Sequence, residues 1–93
     1  MTTTLQALAE RFRVKSAADA DAIEAAMGRA DIDWNDLTAL VHGLAGAAGI
    51  FGYPGIGGAA RTLDEKFAAG LRPTQDEMAG LVDTIRSELA RHS

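Results

Sequence analysis

The sequence has no cysteine, only two prolines and no long run of apolar residues. Without cysteine there is neither a disulfide nor a thiolate metal site, which favours a reducing cytoplasm. No apolar stretch approaches the roughly 20 residues of a membrane span, and the N-terminus lacks the apolar segment of a signal peptide. Nine basic residues against thirteen acidic ones give a net charge of −4, which opposes binding to nucleic acid. We therefore expect a cytoplasmic protein that binds neither membranes nor nucleic acids.

Hydrophobic residues, by contrast, make up 47% of the chain. That share suits one small globular domain over residues 1–93 with a modest core. Apolar residues recur at helical spacing along most of the chain, and no segment shows the alternation typical of a strand. The sequence therefore predicts an all-α domain.

The first thirty residues allow two interpretations. In one, a short N-terminal helix ends near Val14, and Ser16 with Asp19 forms a capping box that begins a second helix. In the other, residues 4–29 form one bent helix. We take the first interpretation as the prediction and keep the second as its alternative.

Three further helices have clearer boundaries. The next helix is predicted over residues 34–51, with Asp33 as its N-cap and Gly52 as the glycine that ends it. Another begins at Pro54, since proline suits the first position of a helix, and the last follows a capping box at Thr74. Because short links imply antiparallel neighbours, we expect an antiparallel up-and-down four-helix bundle with a short extra N-terminal helix.

His42 falls roughly opposite the core-facing residues of its helix, which are Leu37, Leu40, Leu44, Ala47 and Phe51. Its neighbours on the outer face are all small or short: Asn35, Thr38, Ala39, Ala45, Gly46 and Gly49. Each of the two glycines, Gly46 and Gly49, costs a helix about 1 kcal/mol relative to alanine. Helix propensity does not explain them, whereas a need for clearance around the imidazole does.

Few chemistries suit this composition. A cysteine nucleophile is absent, a serine triad needs a cleft, and His42 with His92 has no recognised metal spacing, so no metal site is expected. Adjacent carboxylates such as Asp64-Glu65 point to different sides of a helix and indicate solvated charge. Most helical histidines are bystanders. One that stands clear of its neighbours, however, can attack a phosphoryl group and form an N–P bond if a partner supplies Mg²⁺ and positive charge.

The pattern around this histidine resembles that of the histidine-containing phosphotransfer (HPt) domains of multistep two-component signalling. The family signature is a histidine, a leucine two positions later, glycines four and ten positions later, and a leucine–acid pair further on. Without any gap, this sequence has His42, Leu44, Gly46, Gly52 and Leu63-Asp64. The resemblance covers nearly the whole chain and includes the helical-bundle fold.

The resemblance implies a role for each element of the site. His42 accepts a phosphoryl group on Nε2, and Asp64 stands where the family often has a Glu or Gln that hydrogen-bonds the other ring nitrogen. A receiver domain docks over the small residues around the histidine, namely Thr38, Ala39, Ala45, Gly46 and Gly49. No cofactor is expected in this chain, because Mg²⁺ belongs to the partner receiver domain.

Ala45 departs from the family pattern. The family commonly has a lysine three residues after the histidine, with a role in stabilising the phosphoryl group. Arg61 and Lys66 on the following helix are candidate substitutes, although their angles favour solvent exposure, and the partner's own lysine and metal are another source of charge. The departure leaves open how stable the phosphohistidine is and how readily it transfers.

The main hypothesis is a monomeric phosphoryl carrier, not an enzyme, that moves phosphate between receiver domains of response regulators or a hybrid histidine kinase. One alternative is a degenerate HPt-like module that binds a receiver or kinase and inhibits it without carrying phosphate. Two others are the phosphoacceptor segment of a larger histidine kinase and a helical scaffold with no signalling role.

Overall fold

The structure, a computed structural model, describes residues 3–91. This part of the chain forms four α-helices: α1 (Thr4–Met27), α2 (Trp34–Ala47), α3 (Pro54–Ala68) and α4 (Gln75–Arg91). Each helix packs against the next, and α4 packs back against α1, so the helices close into a ring. Short links between successive helices give an antiparallel up-and-down arrangement. The predicted all-α four-helix bundle is confirmed.

The N-terminal region is one helix without a break. α1 continues past Ser16, and its sequence has no proline or glycine that would stop it. Ser16 is buried instead of capping a helix, and the carboxylate of Asp19 pairs with Lys15 at 2.7 Å. The N-cap is Thr3, whose side chain accepts the N–H of Gln6. The stretch predicted as a short extra N-terminal helix is therefore the first part of α1, as in the one-helix alternative.

The second helix starts as predicted but ends early. Asp33 caps α2 by accepting the N–H of Asp36 at 3.0 Å. The helix ends at Ala47 and not at residue 51, and turns follow as far as Gly52, whose φ of +83° lies in the left-handed region. The N–H of Gly52 bonds the carbonyl of Gly49, three residues back. Two glycines within four residues weaken the helix here, and tighter turns replace its last part.

The starts of the last two helices are as predicted. Pro54 occupies the first turn of α3. Before α4, the hydroxyl of Thr74 accepts the N–H of Glu77 at 3.1 Å, and the Glu77 carboxylate accepts the N–H of Thr74 at 2.9 Å. This reciprocal pair is the predicted capping box.

One hydrophobic core is shared by all four helices. Phe12 of α1 stacks on Phe51, with ring centroids 5.3 Å apart, and so joins α1 to the turn after α2. No helix in residues 3–91 has both the length and the hydropathy of a membrane span. The buried hydrophobic residues are Phe12, Ala20, Ile23, Met27, Leu37, Val41, Leu44, Ala48, Tyr53, Ile56, Ala60, Leu63, Met78, Leu81, Val82, Ile85 and Leu89.

Candidate functional site

His42 lies on a flank of α2 rather than opposite the core. The buried residues of α2 and the following turn are Leu37, Val41, Leu44 and Ala48. Three residues predicted to face the core are only half-buried, namely Leu40, Ala47 and Phe51. The buried stripe is thus rotated from its predicted position, and at 100° per residue His42 lies about 130° from its centre. This rotation turns the histidine towards α3.

The imidazole of His42 is exposed to solvent over 77% of its side chain. Its Nδ1 lies 3.1 Å from Oδ1 and 3.2 Å from Oδ2 of Asp64 on α3. Because an ionised carboxylate only accepts hydrogen bonds, Nδ1 is the donor. In the neutral ring the lone pair then resides on Nε2, which has no hydrogen-bond partner among residues 3–91. In that neutral form, the arrangement presents one unprotonated ring nitrogen to solvent.

Packing between α2 and α3 brings the two side chains together. The helices are antiparallel, so contacts further along α2 lie further back along α3. His42 meets Asp64, and Ala48 meets Gly57, where a β-carbon would touch that of Ala48 at 3.5 Å. Since 3.5 Å is ordinary van der Waals contact, an alanine at position 57 would also fit this approach. These two contacts fix the register of the helix pair.

A buried carboxylate that the sequence analysis did not identify holds the start of α3. Glu88 on α4 is 4% exposed, and its two oxygens accept the N–H groups of Gly55 and Ile56, each at 2.9 Å. These N–H groups have no partner within their own helix, and negative charge is favourable at a helix N-terminus. A β-carbon at Gly55 would lie 2.6 Å from Oε2 of Glu88. The sequence signal for this contact is an acidic residue within the apolar stripe of α4, three residues after Ile85.

The residues predicted as the docking face differ in exposure. Ala39, Gly46 and Gly49 are exposed, whereas Thr38 and Ala45 are half-buried. All five lie close to His42 along the helix or in the turn that follows it. The surface beside the histidine therefore consists of small residues, of which Thr38 and Ala45 are partly packed against the bundle.

The glycines next to the histidine have open space around them. A β-carbon at Gly43 or Gly46 would meet no atom within 4 Å. Gly49 lies beyond the end of α2, so the expected helix penalty applies to Gly43 and Gly46 instead. The packing of the bundle requires neither of these two helical glycines.

Both candidate substitutes for a lysine at Ala45 lie on α3. The ammonium group of Lys66 pairs with the carboxylate of Glu77 on α4, and this hydrogen bond lowers the pKa of Glu77. Lys66 is therefore engaged on the side of α3 that faces α4. Arg61 is exposed and makes no ion pair with any described residue. Of the two candidate substitutes for a lysine at Ala45, only Arg61 is unengaged.

No cluster of three or more His, Asp or Glu side chains that could hold a metal ion occurs within residues 3–91. His42 and Asp64 provide fewer protein ligands than zinc sites use. The second histidine of the chain, His92, lies outside the described residues.

Fold and site together define a class of protein: a helical bundle that displays one exposed, oriented histidine among small residues. A family model described as the Hpt domain matches residues 7–92. The chain therefore belongs to the Hpt domain family, the phosphotransfer domains of two-component signalling. Members are phosphocarrier modules that interact with receiver domains or kinases in phosphorelays. The chain matched no curated protein and no solved structure.

Proposed function

We propose that this chain carries phosphoryl groups in a two-component phosphorelay and that the acceptor atom is Nε2 of His42. The observation that supports this proposal is the bond between Nδ1 and Asp64, which leaves Nε2 with a lone pair on an exposed ring. Nucleophilic attack on phosphorus requires that lone pair. A carboxylate on the far nitrogen also fixes the ring orientation and raises the basicity of the attacking atom.

Each transfer step exchanges one bond to phosphorus for another. In the loading step, Nε2 attacks the phosphorus of an aspartyl phosphate in a receiver domain, the P–O bond to the aspartate breaks, and its carboxylate leaves. The ring then carries positive charge, and Asp64 stabilises it through the Nδ1 hydrogen bond. In the unloading step, a carboxylate oxygen of a second receiver attacks phosphorus and the electron pair of the N–P bond returns to Nε2.

The remaining requirements fall to the partner. Phosphoryl transfer depends mainly on positioning and on charges around the transferred group. The receiver supplies Mg²⁺, and this chain supplies an accessible, oriented nucleophile without a cofactor or a catalytic apparatus of its own. In this proposal the domain acts as a cytoplasmic monomer, and the absence of cysteine suits that compartment.

We place the receiver over the small residues around the histidine: Thr38, Ala39, Ala45, Gly46 and Gly49. The open space above Gly46 supports this placement, because a receiver must bring its aspartate within bonding distance of the phosphorus. A bulky side chain in that space is expected to hold the two proteins apart.

The test is transfer from a receiver that already carries labelled phosphate, with Mg²⁺ present. Wild type is expected to become labelled, whereas His42→Gln is expected to stay folded and unlabelled. Ala45→Trp is expected to block transfer without unfolding. Because Ala45 is half-buried, Gly46→Trp is a second variant in open space, and Ala22→Trp on the exposed surface of α1 is the matched control. Label on His42→Gln would refute the site, and full transfer by both tryptophan variants at positions 45 and 46 would refute the docking face.

A second candidate function is favoured by one observation, the alanine at position 45. A degenerate HPt-like module would bind a receiver or kinase and inhibit it without carrying phosphate. In that case His42→Ala would bind and inhibit as well as wild type, and no labelled intermediate would form with either protein. Transfer of label through wild type alone would exclude this alternative.

A further inference from the structure

We propose that Arg61 contacts the phosphoryl group on His42 and supplies the positive charge that a lysine at position 45 would otherwise provide. This inference rests on the proposed function and names a second residue of the same site. It follows from the register of α2 and α3, from the face of α3 on which Arg61 lies, and from the charges around it.

The register places Arg61 beside Ala45. Two contacts tie the antiparallel helices together, one between His42 and Asp64 and one between Ala48 and Gly57. Ala45 lies midway along the chain between His42 on α2 and Ala48 in the turn after it. On α3, Arg61 lies between the same two contacts. The two residues are therefore at the same level of the bundle, one turn from the histidine.

The face of α3 also favours this contact. Asp64 contacts α2 and Gly57 contacts the turn that follows α2, so both mark the flank of α3 on that side. At 100° per residue, Arg61 lies about 60° from Asp64 and about 40° from Gly57, on the solvent side of that flank. Its position along the axis differs from that of Asp64 by about 4.5 Å. Lys66, by contrast, pairs with Glu77 on the flank that faces α4.

No described carboxylate competes for Arg61. The carboxylate of Asp64 is bonded to His42, and Glu65, one turn from Arg61 on the same helix, makes no ion pair with it. A phosphoryl group on Nε2 adds a dianion at the outer edge of the α2–α3 groove. Guanidinium groups suit such a partner because their planar fork of donors matches phosphate oxygens. The small side chain of Ala45 leaves room for this approach.

The expected consequence is a longer-lived phosphohistidine. In hydrolysis a water oxygen attacks phosphorus, the N–P bond breaks, its electron pair returns to Nε2, and inorganic phosphate leaves. The transition state is largely dissociative, so negative charge on the outer phosphoryl oxygens falls as it is reached. A cation beside those oxygens stabilises the phosphohistidine more than the transition state. Removing an exposed charge of this kind is expected to shorten the lifetime about two- to fivefold.

The experiment needs no partner protein. Phosphoramidate loads the histidine chemically: its P–N bond breaks, ammonia leaves and the bond to Nε2 forms. After the donor is removed, intact-mass spectrometry follows the loss of phosphate from wild type, Arg61→Ala, Arg61→Lys and Arg11→Ala. Arg11 is the matched control because it is an exposed arginine on α1, which does not contact α3. Circular dichroism verifies that the variants keep their helicity.

Of the three variants, only Arg61→Ala should shorten the lifetime of the phosphohistidine markedly, and Arg61→Lys should largely retain it. Added salt should reduce the difference in lifetime between wild type and Arg61→Ala, because salt screens exposed charges. Ala45→Lys in the Arg61→Ala background should restore the lifetime, which a merely structural role of Arg61 would not allow. Equal lifetimes for Arg61→Ala and Arg11→Ala, with His42 loaded in both, would overturn this inference alone. Failure of wild type to load at His42 would overturn the proposed function and this inference with it.

Discussion

Asp64→Ala is expected to slow the loading of His42 about fivefold while leaving the fold intact. In the proposed site the carboxylate holds the proton of the neutral imidazole on Nδ1, which leaves Nε2 unprotonated. Without it, the neutral ring is free to place its proton on either nitrogen, and the molecules protonated on Nε2 cannot attack phosphorus. The ring also loses its fixed orientation and the negative charge that stabilises the phosphorylated imidazolium.

The size of the expected loss in loading rate follows from the distance between His42 and Asp64 and from the exposure of their side chains. Nδ1 lies 3.1 Å from the nearer oxygen of Asp64, but 77% of the histidine side chain and 28% of the aspartate side chain are exposed. For a charge-assisted bond this open to water we expect about 1 kcal/mol, the upper end for exposed ion pairs and less than the roughly 1.5–3 kcal/mol of hydrogen bonds to charged groups in general. That free energy corresponds to a factor of about five. Asp64→Asn keeps an acceptor oxygen for Nδ1 and loses only the charge, so its expected loss is about twofold.

Loading rates with phosphoramidate measure the effect directly for wild type, Asp64→Ala and Asp64→Asn. Glu65→Ala is the control, since it removes the adjacent carboxylate of α3, which makes no hydrogen bond or ion pair with the histidine. Nitrogen-15 NMR of the imidazole reports which ring nitrogen carries the proton in each variant. If Asp64→Ala loads at the wild-type rate and Nε2 remains unprotonated, the carboxylate does not set the tautomer and the reasoning fails.

Three further predictions concern stability. Glu88→Ala is expected to lower the free energy of unfolding by about 2–4 kcal/mol, because one buried and one partly buried N–H group lose their acceptor; Gly55→Ala should also destabilise, and urea denaturation checks both. Gly43→Ala is expected to raise the free energy of unfolding by about 1 kcal/mol, seen as a higher midpoint in thermal denaturation, and a lower midpoint would show that the bundle requires this glycine. The hydrogen bond to Lys66 lowers the pKa of Glu77 in the folded protein. The stability that this bond contributes is therefore complete above the ordinary glutamate pKa of about 4.3, and it is lost as the pH falls through the lowered pKa. The stability difference between wild type and Glu77→Gln should shrink over that acidic range, and a constant difference would contradict the assignment.

The parts of the fold that were predicted correctly are those set by local sequence. The cap at Asp33 and the capping box at Thr74 involve residues three positions apart, so the sequence contains both partners. The same rule failed at Ser16, where an identical spacing occurs inside α1, because the sequence does not show that the hydroxyl is buried against other helices. Helix ends also depend on such packing, and α2 stops at Ala47 before its apolar pattern does.

The residues of the site were also predictable only where the sequence pattern is local. His42 could be selected from the small residues around it, which are local. Its bond to Asp64 depends on the register between α2 and α3, which the residue pattern does not give, and Asp64 was named only through the resemblance to the HPt family. Val41 and Ala48 are buried in place of more obvious core residues, and the resulting rotation turns the histidine towards α3. Glu88 was missed because its partners are backbone N–H groups of another helix: its place in the apolar stripe of α4 signals burial but not those partners.

The central claim is that Nε2 of His42 carries the phosphoryl group, and NMR of the nitrogen-15-labelled domain loaded with phosphoramidate tests it at the level of the atom. We predict phosphorus–nitrogen coupling at Nε2 of His42, a proton retained on Nδ1, and no coupling in His42→Gln. Phosphorus on Nδ1 of His42, or on His92 with His42 unmodified, would contradict the account.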